Sequence, residues 1–266
     1  MVGFVFALLV ALANVSPSSA IGENPMDLNT FAGIITGIGH MLQNNVETID
    51  VPAKLLMGRW FQMYKAAVNF DVYKTQMFCS VAYFKPNVVM GEDGFSMEEA
   101  YKVGAKNGLI ETYKRDMNKV GPGQYWMYTE EYFYPRQFYI IHAGPTFDNE
   151  TMEGNVQYYI ATDANRLALM VYARDPLTFY QKYNKEVLNY LEEAGFGGKV
   201  FWNSPRPIYQ GPDCEWPSEK EVFARRVIKN QDAAHRAKNG NGAPQSPIAD
   251  MIQNPQATLQ KLVQGR

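Results

Sequence analysis

Eight short runs rich in Tyr, Phe, Trp and Val, each bounded by turn-forming residues, occupy the centre of this chain and are followed by one segment of helical period. They are Trp60 to Val68, Met77 to Phe84, Phe95 to Val103, Leu109 to Arg115, Tyr125 to Phe133, Gln137 to Ala143, Val156 to Thr162 and Arg166 to Arg174. Aromatic and β-branched residues in runs of this length read as strands. Turn signals separate them at Pro86-Asn87, Lys106-Asn107-Gly108, Gly121-Pro122-Gly123, Tyr134-Pro135, Gly144-Pro145 and Asp163-Ala164-Asn165, and such residues supply the torsions of tight reversals. Short connections favour antiparallel neighbours in an up-and-down meander. From Thr178 to Ala194 the apolar positions Phe179, Tyr183, Val187, Leu188 and Leu191 recur three or four apart, with Gly195 as a C-cap. The expected fold is all-β: an eight-stranded antiparallel barrel with one C-terminal α-helix packed outside. Eight strands enclose an interior just wide enough for one small ligand, and closure removes the edges by which such strands aggregate.

The flanks divide into three further zones. Residues 1–20 read as a signal peptide, with an apolar run from Phe4 to Ala13 and the small residues Ser18-Ser19-Ala20 before the cleavage point. Ten apolar residues fall well short of the ~20 that span a bilayer, so no transmembrane segment is expected and the protein is expected outside the cell. Residues 21–53 form an N-terminal extension in which Phe31 to Leu42 reads either as an amphipathic helix or as a loosely ordered stretch. The barrel domain is expected over 54–217. Residues 218–266 form a basic tail, with eight basic against four acidic residues, a helix around Glu221 to Lys238, and a disordered remainder rich in Asn, Gly, Gln and Pro. Within it Arg225-Arg226 reads as a dibasic processing site or as a solvated helix face.

The formal net charge of −2 argues against a nucleic-acid partner, whose electrostatic footprint would be basic. Cys79 and Cys214 are the only cysteines, and an even pair in a secreted chain reads as one disulfide, the alternative being two unrelated buried thiols. No metal site is expected. Closing a loop of 135 positions would stabilise the fold by roughly 5 kcal/mol in the chain-entropy model. The sequence has no Gly-x-Ser-x-Gly elbow, no His-Glu-x-x-His, no phosphate loop and no Cys-x-x-Cys. His40, His142 and His235 stand apart from one another, so no catalytic residue and no cofactor is expected and the protein reads as a non-enzyme. Asn149-Glu150-Thr151 is an N-glycosylation acceptor in the loop between the sixth and seventh strands.

Gly58-Arg59-Trp60 at the start of the first strand and Ala173-Arg174-Asp175-Pro176 at the end of the eighth, just before the helix, resemble the first and third motifs of the lipocalin family. Within that family the positions of Cys79 in the second run and Cys214 after the helix resemble the apolipoprotein D-like branch, and the phrase Tyr209-Gln210-Gly211-Pro212-Asp213-Cys214 is similar to the lipocalin-related proteins of nematodes. The resemblance covers the barrel domain and neither flank. It implies that Trp60 fills the closed end of the barrel beside Gly58, that Arg174 covers Trp60, and that Cys79 and Cys214 tie the tail to the barrel wall. The family's second motif, Thr-Asp-Tyr, is absent between the sixth and seventh strands; Thr162-Asp163 lies one strand later.

What the resemblance implies for function is binding or transport of a small hydrophobic ligand such as a fatty acid, retinoid or sterol. Under period-two alternation Tyr64, Phe84, Trp126, Tyr128, Phe138, Ile140 and Tyr158 are expected to line the site. The same residues would equally serve a filled core. The alternative is an apical extracellular-matrix or interaction protein that uses the barrel as a scaffold and contacts a matrix or receptor protein, as the nematode resemblance and the long flanks suggest.

Overall fold

The computed structural model describes residues 46–66, 76–129, 135–197 and 203–238, all within one unit, Asn44–Arg266. The signal peptide, the Phe31–Leu42 stretch and the tail beyond Lys238 lie outside the described residues. A short helix, α1 (Ala53–Leu56), precedes eight strands: β1 (Gly58–Lys65), β2 (Met77–Pro86), β3 (Phe95–Val103), β4 (Ile110–Gly121), β5 (Gln124–Thr129), β6 (Arg136–Asp148), β7 (Glu153–Thr162) and β8 (Leu169–Ala173). Each pairs antiparallel with its sequence neighbour, and β1 pairs with both β2 and β8, so the sheet closes on itself. This is the up-and-down barrel expected from the eight runs.

One turn signal is corrected. Gly144-Pro145 lies within β6, which continues to Asp148, and the pairing with β7 slips there, from Gly144↔Tyr158 to Pro145↔Val156. Proline cannot donate to a ladder, so it is accommodated at a bulge. The reversal comes after it, where the Asp148 carboxylate accepts from the backbone N–H groups of Glu150 and Thr151 at 2.8 and 3.3 Å. Thr162-Asp163 turns β7 into β8, with the Asp163 carboxylate accepting from the amides of Leu167 and Ala168. The pair thus lies at the β7–β8 connection and not between β6 and β7.

After β8 the chain runs through α2 (Pro176–Thr178), a π-helical turn (Phe179–Tyr183) and α3 (Asn184–Glu193). Asp175 caps the start by accepting from Thr178 N–H at 2.7 Å, with Pro176 in the first turn. This helical segment presses Phe179, Val187 and Leu191, all fully buried, onto the outer face of the barrel against Phe61, Tyr64, Tyr158, Ile160, Leu169 and Val171. The barrel wall is therefore apolar on both faces along β1, β7 and β8.

A second outer helix, α4 (Glu219–Lys238), begins at a capping box in which Ser218 Oγ accepts from Glu221 N–H while the Glu221 carboxylate accepts from Ser218 N–H. It is docked: Val222 is fully buried, Arg226 pairs with Glu98 of β3 at 3.5 Å, and Lys229 donates to the carbonyl of Thr112 on β4 at 3.3 Å. Arg226 is thus half of a part-buried ion pair, not a residue of a solvated face. No helix among the described residues is long and apolar enough to cross a membrane.

Between the two helices the chain returns to the barrel. A two-residue strand, β9 (Arg206–Pro207), pairs with β1, and Cys214 is bonded to Cys79 of β2. The β1–β2 ladder covers only Gly58 to Trp60 against Ala82 to Phe84. Beyond it Gln210 occupies the seam, its amide donating to the carbonyls of Gln62 at 2.9 Å and Ser80 at 2.7 Å while Trp216 Nε1 donates to its carbonyl oxygen at 2.9 Å. A glutamine side chain here supplies the two donors that the parted strands do not offer each other.

Candidate functional site

The closed end is built on Trp60. Its indole is fully buried, donates to the Leu56 carbonyl at 2.6 Å and meets Tyr159 edge-on, with centroids 5.0 Å apart. The guanidinium carbon of Arg174 stands 3.7 Å from the centre of the Trp60 ring, and its two terminal nitrogens donate to the carbonyls of Leu55 at 2.8 Å and Arg59 at 3.1 Å. Gly58 has φ +98°, and a Cβ there would lie 3.3 Å from the same guanidinium, so glycine suits both the torsion and the approach. The chain ahead of α1 adds to this end: Val51 is fully buried, Ile49 N–H donates to the Ile140 carbonyl at 2.9 Å, and the Asp50 carboxylate accepts from Gly123 N–H at 3.1 Å.

From this floor the inner face carries Phe84, Phe95, Tyr125, Phe138, Ile140, Tyr159 and Tyr172 with four methionines, Met97, Met117, Met127 and Met170, in one buried cluster. Rings meet across the lumen as well as along the wall: Phe84 of β2 is 6.1 Å from Tyr159 of β7 and from Tyr172 of β8, and Phe95 of β3 is 5.3 Å from Tyr125 of β5.

Of the seven residues expected to line the lumen, Phe84, Phe138 and Ile140 do so; Tyr64, Trp126, Tyr128 and Tyr158 do not. On β1 the register slips between Gln62 and Tyr64, so Trp60 and Gln62 face in and Tyr64 faces out, where its hydroxyl donates to Asn184 at 2.7 Å. On β7 the slip opposite Gly144 and Pro145 leaves Val156 and Tyr159 inside and turns Tyr158 outward, its hydroxyl donating to Glu186 at 2.7 Å. A bulge inverts every side chain beyond it. On β5 Tyr125 and Met127 are fully buried while Tyr128 is 39% exposed, so Trp126 and Tyr128 belong to the outer face. The residues that sequence reasoning missed are Phe95, Tyr125, Tyr159, Tyr172 and the four methionines. For β5 the other phase of the alternation would have found them; for β7 no local signal marked the bulge.

A polar layer crosses this apolar lumen. The Glu99 carboxylate, fully buried on β3, accepts from Arg115 of β4 at 2.6 Å, from Ser80 of β2 at 2.7 Å and from the Tyr172 hydroxyl of β8 at 3.3 Å. Gln62 faces Tyr172 across the β1–β8 ladder and Tyr172 faces Tyr159 across the β8–β7 ladder. Neither polar atom of the Gln62 amide, nor the Tyr159 hydroxyl, meets a hydrogen-bonding partner among the described residues. Burial also pushes the Tyr159 hydroxyl well above its ordinary range, which keeps it a neutral donor. An unpartnered buried polar group costs about 1–3 kcal/mol.

Outside the barrel two other features stand out. A groove of about 680 Å³ runs along the start of the helical segment and the returning strap, lined by Leu177, Tyr180, Ile208, Tyr209, Pro212 and Trp216 among others. Beneath α3, His142 stacks on Tyr190 with centroids 4.3 Å apart and lies 3.3 Å from the Tyr158 hydroxyl, and burial lowers its pKa below the ordinary 6.5. His142 therefore serves the helix contact. Among the described residues no group of three or more His, Cys, Asp or Glu side chains is placed to hold a metal ion. Asn149 is exposed in the β6–β7 turn, its side-chain oxygen accepting from Asp50 N–H at 3.3 Å.

No family model and no curated protein matches the chain. Solved structures similar to it include lobster apocrustacyanin A1, 12% identical over 65% of this chain and 95% of that one, with a TM-score of 0.42. H1 crustacyanin from the lobster Homarus americanus is 14% identical over 68% and 96%, with a TM-score of 0.43. Japanin from Rhipicephalus appendiculatus, solved bound to cholesterol, is 10% identical over 62% and 99%, with a TM-score of 0.41.

Proposed function

We propose that this protein is an extracellular binding protein of lipocalin type that takes a small, mainly hydrophobic molecule into its barrel and performs no chemistry on it. The observation that carries this reading is the unpartnered Gln62 amide, fully buried in a methionine-rich lumen whose other polar groups form a single layer around Glu99. A core selected for stability alone gains from replacing such an amide with an apolar side chain, whereas a lumen that receives a polar-tipped guest has a use for it. The methionines supply the adaptability. Unbranched thioether chains repack at little cost, so Met97, Met117, Met127 and Met170 can yield space now closed by contacts across the barrel.

Native mass spectrometry of the purified full chain, before and after extraction with organic solvent, tests the reading, together with titration of hydrophobic fluorescent probes. A stoichiometric guest, lost in Met127→Trp but retained in Trp126→Ala and Tyr128→Ala, is the expected result. A chain that carries no guest and takes up no probe would overturn it. That outcome would favour a second reading, a matrix or receptor-binding scaffold. Its support is the lumen-spanning Tyr172–Glu99 bond and the apolar outer groove beside the strap, a place for contacts with another macromolecule. Occupancy of Asn149 by a glycan belongs to either reading and is read from a mass shift on treatment with a glycosidase.

A further inference from the structure

We infer that the polar layer of the lumen receives an uncharged hydroxyl or carboxamide group, so that the guest is a neutral amphiphile and not a fatty-acid anion. The inference rests on the carrier reading above and deepens it. Gln62, Tyr172 and Tyr159 stand side by side on β1, β8 and β7, each directly opposite the next, and all three are fully buried. The Tyr172 hydroxyl is committed to Glu99. Gln62 offers two donors and an acceptor, and Tyr159 a donor and an acceptor, with no partner for either side chain among the described residues.

A guest group that completes such a set must donate as well as accept. Hydroxyls and carboxamides do both, whereas a carboxylate only accepts. Charge points the same way. Arg115 is held at 2.6 Å by Glu99, both essentially without exposure, so the layer already contains one positive and one negative charge in contact. A carboxylate entering it would bring a second negative charge with no counter-charge at that level, in surroundings where an uncompensated ion is strongly disfavoured. Lys65 is not at that level: it lies beyond the bulge on β1, opposite Met170 and not Tyr172, a step of two residues or about 7 Å along β8.

The test uses the full chain with the Cys79–Cys214 bond intact and compares dodecan-1-ol with dodecanoate by isothermal titration calorimetry at neutral pH. The alcohol is expected to bind at least about ten-fold more tightly, the equivalent of one well-made hydrogen bond. Gln62→Leu, which keeps the bulk and removes the amide, is expected to erase that margin while near-UV circular dichroism stays unchanged, and Tyr159→Phe to reduce it. Glu99→Gln, which leaves Arg115 without its counter-charge, is expected to shift the preference toward dodecanoate; should that variant not fold, the Gln62→Leu comparison decides alone. Dodecanoate binding as tightly as the alcohol, or a margin unchanged in Gln62→Leu, overturns the inference and leaves the carrier reading in place. Failure of the unaltered chain to bind either compound or any hydrophobic probe overturns both.

Discussion

Removing the Arg174 guanidinium should unfasten the floor of the barrel. Arg174→Met keeps the methylene stem that packs at the closed end and deletes three interactions: the approach to the Trp60 ring at 3.7 Å and the bonds to the Leu55 and Arg59 carbonyls. A partly desolvated cation over an indole contributes about 1–2 kcal/mol, and each bond from the cation to a carbonyl about 1 kcal/mol net of hydration. The expected loss is about 3 kcal/mol, since the terms share one half-buried group and do not add fully. Arg174→Lys should recover less than half of it, because a compact ammonium cannot reach two carbonyls and cover the ring at once. The assay is urea unfolding followed by far-UV circular dichroism, read as a midpoint shift at constant slope. A cycle with Trp60→Leu isolates the ring contact, with an expected coupling of about 1 kcal/mol. A cost below about 0.5 kcal/mol for Arg174→Met, or no coupling in the cycle, would refute the reasoning and reduce Arg174 to the surface residues whose replacement is near neutral.

Three further outcomes are expected. Because burial lowers the folded-state pKa of His142 below 6.5, the unfolded chain takes up that proton first; the stability linked to His142 is full above about pH 6.5 and falls as the pH drops below it. The unfolding midpoint measured from pH 7.5 to 5 should decline less in His142→Gln, and equal slopes would sink the assignment. Replacing Cys79 and Cys214 together by Ala should cost several kcal/mol, up to about 5 in the loop-entropy model, and should free the strap that carries Gln210 into the seam; calorimetry showing an unchanged Tm would contradict this. Val222→Ala removes the fully buried anchor of α4 and should cost about 2 kcal/mol. Hydrogen exchange should show protection lost from residues 219–238 and kept in β1 to β8, whereas uniform loss would mean that the helix is integral to the barrel.

The strand succession was legible because it depends on local chemistry. Turn residues such as Gly121-Pro122-Gly123 break the chain wherever it stands, and the Asp175-Pro176 cap starts a helix without help from the rest of the molecule. Eight runs with short connections then leave few ways to bury one face of each, and closing the sheet is one that also satisfies the edges. The pairing of Cys79 with Cys214 was legible from their being the only two cysteines, whereas the stacking of Arg174 on Trp60 was legible only through a family resemblance, since residues 114 positions apart have no local reason to meet.

Facing was decided by the tertiary structure. Period-two reasoning works when one side of a strand is polar, but in Tyr125-Trp126-Met127-Tyr128 both phases are apolar, and only the closed barrel selects Tyr125 and Met127 for the interior. Along β1 and β7 the helical segment makes the outer face as apolar as the inner one, so Tyr64 and Tyr158 look like lining residues in sequence and are outward anchors for Asn184 and Glu186 in the fold. Two bulges produce that inversion, each set by the partner strand and invisible in the strand that it turns. The polar layer has the same origin. Gln62, Ser80, Glu99, Arg115 and Tyr172 come from five separate strands, and each alone reads as an ordinary polar interruption. Nothing short of closing the sheet brings them into one buried plane, because their contact is a property of the barrel's circumference and of no segment of its sequence.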